Sequence, residues 1–149
     1  MKKYILLILI CCFVQLSFAQ KPIEYNIKRT TYIKGTYKTF SYELKKDSIV
    51  IIRYSTNNRD PKTLYSNVLN VDQKSKLTKI LSGFDLPTMK SQYVDQNVDG
   101  QGHFVYDIKI NNDFKSIYVY FGDQPNLKKL DVFFHEVLPV NQDGWHDVY

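Results

Sequence analysis

The sequence predicts an α+β domain: a single antiparallel sheet of about six strands, in the order ββββαββα, with two helices packed on one face. Three observations predict it. Apolar residues alternate with polar ones in short segments along the chain, from Tyr25 and Ile27 to Ile117, Val119 and Phe121, which is the period of a half-buried strand. Most of the links between these segments are of hairpin length, so neighbours pair antiparallel. Twice the period changes to a helical one, at Leu77, Ile80 and Leu81 and again from Leu127 to Leu138. Two such amphipathic helices can cover one face of a twisted sheet.

The first nineteen residues read as a secretion signal outside this fold. Lys2 and Lys3 form a positive start, Ile5 to Val14 an apolar core, and Ser17-Phe18-Ala19 the small-residue cleavage site. A lipid anchor at Cys11 or Cys12 is the alternative, but Ile10 stands where lipidation prefers a small residue. Cleavage near Gln20 removes both cysteines and two of the 20 basic residues, leaving 18 against 15 acidic and a formal charge of +3. A balance so ordinary, with no basic stripe, gives no case for nucleic acid. The remaining 130 residues carry no transmembrane stretch and are enough for one disulfide-free core.

Within residues 20–149, Glu24 to Ile33 alternates and contains β-branched residues, giving the first strand. Phe40, Tyr42 and Leu44 mark the second; Lys45-Lys46-Asp47 breaks the run, and Ser48 to Tyr54 (SIVIIRY) is apolar on both faces, as in a central strand. The polar, proline-punctuated Thr56 to Pro61 is a loop, and Thr63 to Leu69 supplies a fourth strand. Asp72 is placed to cap a helix whose buried stripe is Leu77, Ile80 and Leu81, with Gly83 as its left-handed stop and Phe84 packing back on the last turn. After Leu86-Pro87, Thr88 to His103 shows little periodicity and reads as a long loop. Phe104, Tyr106, Ile108 and Ile110 then alternate, Asn111-Asn112-Asp113 turns the chain, and Ile117, Val119 and Phe121 form the partner strand. The last helix carries Leu127, Leu130, Phe134, Val137 and Leu138. Pro139 stops it, and a tail from about residue 140 holds Trp145, whose ring pins the tail to the body.

The stretch most like a motif is Asp95-Gln96-Asn97-Val98-Asp99-Gly100, the first half of a calcium loop. Oxygens from Asp95, Asn97 and Asp99 would converge on the cation, and the glycine permits the turn. The second half is missing, since position twelve is Tyr106 rather than glutamate. The same residues also suit any polar turn. His135-Glu136 begins like a zinc-protease helix, but the second histidine is replaced by Pro139. With no nucleophile elbow, no cysteine beyond the signal and no phosphate-cradling loop, no catalytic residue is assigned. A small hydrolase using His103, His135 or His146 is the weakest alternative.

Tyrosine gives the binding candidates. If Ile117, Val119 and Phe121 face the helices, Tyr118 and Tyr120 project from the other face, where rings among lysines and serines suit a protein or glycan partner. Cross-strand tyrosines also stabilise a solvated sheet with no partner at all. Asp107 and Lys109 on the neighbouring strand confine the patch. The run Tyr93 to Gly100, the alternation from Phe104 to Ile110 and the closing helix after Gly122-Asp123-Gln124-Pro125 together resemble small exported bacterial domains of uncharacterised function. That resemblance covers the C-terminal half and implies an envelope or secreted protein without carrying over any site residue. The expectation is therefore an exported, non-catalytic binding module, with a calcium-dependent domain built on the Asp95–Gly100 loop as the alternative.

Overall fold

A computed structural model describes residues 23–33, 38–55, 61–97 and 102–138. Seven strands form one sheet: β1 (Tyr25–Ile33), β2 (Lys38–Lys45), β3 (Ser48–Ser55), β4 (Lys62–Val68), β5 (Gln92–Val94), β6 (Gly102–Ile110) and β7 (Asp113–Tyr120). Helix α1 (Val71–Leu81) lies between β4 and β5, and α2 (Pro125–Val137) follows β7. The strand order across the sheet is β4-β3-β2-β1-β6-β7-β5.

The hairpins follow from their turn residues. Lys46 and Asp47 join β2 to β3 with φ of 46° and 63°, the pair of positive angles that a type I′ turn requires and asparagine or aspartate tolerates. Asn111 and Asn112 join β6 to β7, with only Asn111 at positive φ, 54°. Along each strand one set of alternate residues faces the helices. Ile27, Leu44, Ile49, Ile51, Ile108 and Ile117 are fully buried there, against Leu77 and Leu81 of α1 and Leu127, Leu130, Phe133, Phe134 and Val137 of α2. Each such side chain contributes about 1.5–3 kcal/mol on burial.

The sheet differs from expectation in strand number and direction. β5 is a seventh strand, three residues long, and it runs parallel to β7, with Tyr93 opposite Val119. The sheet is therefore mixed rather than antiparallel. Three residues are too few for a legible alternation, and what seats them is their neighbour: Tyr118 N–H donates to the Ser91 carbonyl at 2.9 Å and Asp95 N–H to that of Tyr120 at 2.9 Å. The apolar β3 is not central either. It lies second from the β4 edge, with Val50 and Ile52 only half-buried, because both helices cover the same face.

The cap of α1 is Asn70, not Asp72. Its Oδ1 accepts from Gln73 N–H at 2.9 Å while Gln73 Oε1 accepts from Asn70 N–H at 2.9 Å, a reciprocal capping box. Asp72 sits in the first turn, where its charge favours the helix dipole. Gly83 does not take the left-handed conformation. The carbonyls of Thr78, Ile80 and Leu81 instead accept from the Ser82, Gly83 and Phe84 amides, Ser82 Oγ donates to that of Lys79 at 2.9 Å, and Asn126 Nδ2 of α2 donates to that of Gly83 at 2.7 Å, so tight backbone bonds and two side chains satisfy the helix end. Asn70→Ala should cost about 1 kcal/mol, read as a lowered urea midpoint at unchanged slope. Asp72→Ala should cost a few tenths at most.

Candidate functional site

The sheet face away from the helices is built by the second set of alternate residues. Register places Tyr32 of β1 opposite His103 of β6, and Val105 opposite Tyr118 of β7. The rings of Tyr32 and His103 stack with centroids 4.7 Å apart and planes 11° from parallel, and His103 meets Tyr118 at 5.0 Å and 36°. Tyr32 and Tyr118 remain 41% and 37% exposed. Burial pushes the His103 imidazole below its ordinary value, so at neutral pH it is an uncharged ring between two phenols. The expected Tyr120 stands on the same face at the end of β7, its ring edge-on to Phe121 at 5.1 Å. One ring patch thus joins Tyr118, Tyr32 and His103, with Tyr120 beside it.

The rest of this face is mixed: Val50, Ile52 and Val105 are half-buried on it and Phe114 is exposed, while several of its polar groups pair with one another. Lys28 pairs with Glu43 at 3.5 Å and lies 5.5 Å over the Tyr54 ring. Ser116 Oγ donates to Asp107 at 2.7 Å and Ser41 Oγ to Glu43 at 3.0 Å. Asp107 and Lys109 bound the patch as expected, opposite Ser116 and Phe114. What sequence reasoning missed was Tyr32 and His103. Starting the strand at Phe104 left His103 in a loop, although His103, Val105 and Asp107 continue the outward alternation.

The calcium candidates are divided. Asp99 lies outside the described residues. Asp95 Oδ1 accepts from Asn97 N–H at 2.9 Å and from Asn97 Nδ2 at 3.2 Å, a turn closed by its own side chain. Among the described residues no group of three or more histidine, cysteine, aspartate or glutamate side chains could hold a metal ion. His146 and Trp145 also lie outside the described residues.

A second feature, unforeseen from sequence, lies on the helix side. A cleft of about 550 Å³ opens between α2 and the ends of β6 and β7. Its walls include Phe104, Val119, Phe121, Leu127 and Val132, with Tyr106 and Asp131 in its floor and Lys128 and His135 on α2 beside them. Behind it Arg29 is buried in the core, 2% exposed. Arg29 Nε stands 3.0 Å from Asp131 Oδ1 in an ion pair and donates to the Tyr106 hydroxyl at 3.2 Å, Nη1 donates to Thr31 Oγ1 at 3.2 Å, and the guanidinium carbon lies 4.3 Å from the Phe104 ring centre. Tyr106 O–H donates to the Asp131 carboxylate, with contacts of 2.6 and 2.7 Å to its two oxygens. Burial raises the Asp131 carboxyl above its ordinary range, although Arg29 and Tyr106 pull the other way. Burial likewise holds the Tyr106 phenol well above its own.

His135 and the Asp131 carboxylate line one concave wall, an arrangement that a histidine-dependent hydrolase would need. However, both Asp131 oxygens already accept from Tyr106 or Arg29, and no serine, threonine or cysteine lines the cleft among the described residues. Covalent catalysis through such a nucleophile therefore has no candidate in the cleft among the described residues. Among the described residues no helix is long and apolar enough to cross a membrane. No protein-family model and no curated protein matches the chain.

Proposed function

We propose that the chain is an exported, non-catalytic binding module that engages a protein partner through the open sheet face around Tyr118 and Tyr120. The observation that carries this reading is the patch of Tyr32, His103 and Tyr118, rings held at 4.7 and 5.0 Å from one another by strand register and left more than one-third exposed at both tyrosines. Its rings are already ordered, so a partner covers them at little further entropic cost, and tyrosine is enriched where interfaces bind most tightly. The near-parallel stack also favours a protein over a glycan. A sugar needs free ring faces, and the stack takes one face of Tyr32 and one of His103 out of reach.

The test is capture from the native extracellular or envelope fraction with the wild-type chain and with Tyr32→Ser/Tyr118→Ser as bait. Both substituted positions are well exposed, so the variant should melt within a few degrees of the wild type. The reading predicts a stoichiometric partner retained by the wild type and lost by the variant. Capture that ignores the substitutions, or no stoichiometric partner in either arm, contradicts it.

A further inference from the structure

We propose that the cleft between α2 and the ends of β6 and β7 is a second site, separate from the ring face, that binds a small amphipathic anion such as a medium-chain carboxylic acid. Its size, about 550 Å³, falls within the range of pre-formed small-molecule pockets. Two of its apolar wall residues, Phe121 and Val132, are each 49% exposed and contribute little to the core. Phe121 is also held at φ 52°, a left-handed conformation that bulky side chains avoid. Strain of this kind persists where the surroundings impose it and clusters at ligand sites. Its ring lines the cleft beside Val119 and stands edge-on to Tyr120 at 5.1 Å.

Charge decides the ligand's sign. Asp131, the acid in the floor, is already paired with Arg29 and hydrogen-bonded by Tyr106, so it does not call for a cation. Lys128 lies on the cleft, and Lys129 lines the adjoining groove that shares Asp123, Lys128 and Val132 with it. Neither lysine enters an ion pair among the described residues, whereas Lys76 in that groove is paired with Glu136. The mouth also adjoins the first turn of α2, which carries no acidic residue and presents the positive end of a 13-residue helix dipole. Two lysines and a helix start against the single carboxylate of Asp123 favour an anionic head near Lys128, with its apolar body against Phe121, Leu127 and Val132.

Calorimetric titration of the full chain with decanoate, and with decyltrimethylammonium as the cationic contrast, tests this. Decanoate should bind at one site, about tenfold more tightly than the ammonium. Lys128→Glu should weaken decanoate about fivefold, and Val132→Asp should abolish it. Both positions are exposed, so neither variant threatens the fold. Tyr32→Ser/Tyr118→Ser should leave decanoate binding unchanged, which separates this site from the ring face. Absence of one-site binding, equal or tighter binding of the ammonium, or affinity indifferent to Val132→Asp would overturn the proposal.

Discussion

Asp131→Ala is expected to destabilise the protein by about 3–5 kcal/mol, lowering its thermal midpoint by about 10–20 °C. The cause is Arg29, which the substitution leaves buried among Tyr42, Phe104 and Tyr106 without the anion that faces its Nε. Asp131→Asn should cost much less, because its amide oxygen can still accept from Tyr106 and face Arg29 while the carboxylate charge that burial disfavours is removed. Burial holds the folded carboxyl above its unfolded value of 3.8, so the native state takes up this proton more readily than the unfolded chain. The group therefore adds stability as pH falls through its folded value towards 3.8, and loses that contribution as pH rises again. Asp131→Asn should flatten that part of the profile. Replacing the whole cluster, as Arg29→Met and Tyr106→Phe with Asp131→Leu, should be near neutral or stabilising, because a buried ion pair gives back little beyond its own desolvation and no Tyr106 hydroxyl is left buried without its partners. Calorimetric midpoints of the four proteins check the set. An Asp131→Ala midpoint within 2–3 °C of wild type, a loss of well under about 1 kcal/mol, would mean that Arg29 escapes to water and the pair organises nothing.

Gly122→Ala carries the second large effect, at about 2–3 kcal/mol. A Cβ at this position would lie 2.4 Å from the carbonyl carbon of Tyr93 and 2.6 Å from its oxygen. Those atoms are backbone and belong to the three-residue β5, so one side must give way. β5 is the weaker, held to β7 over only Gln92, Tyr93 and Val94. Faster hydrogen exchange at Tyr118, whose N–H donates to Ser91, would report the release of this edge, together with a lower denaturant midpoint. Gly83→Ala is the control, since its nearest neighbours stand at 3.4 and 3.5 Å and it should be close to neutral. If the two variants behave alike, the close approach at Gly122 is not what seats β5.

Much of the fold was legible because alternation reports which face of a strand is buried. The six longer strands and both helices fall where the apolar period places them, and Asn111 turns the last hairpin as its side chain allows. What could not be read were features set by distant partners. β5 exists because β7 offers an edge, Asn70 displaces Asp72 because Gln73 answers it, and Val50 and Ile52 stay half-exposed because both helices chose the other face. Arg29 is the sharpest case. Its place in the inward alternation of Ile27, Arg29 and Thr31 put a cation in the core, but only the fold brings Asp131 and Tyr106 to meet it. For the candidate site, the outward direction of Tyr118 followed from the strand period. Tyr32 lies 86 residues away in sequence and joins the patch only through the β1–β6 register.

The most direct measurement places a photo-crosslinking amino acid at position 118 on the ring face, and in a second protein at position 132 on the cleft, before exposure to the captured partner. The account predicts a covalent adduct from position 118 and none from position 132. Crosslinking from 132 alone, or from neither, would contradict the assignment of the partner to the open sheet face.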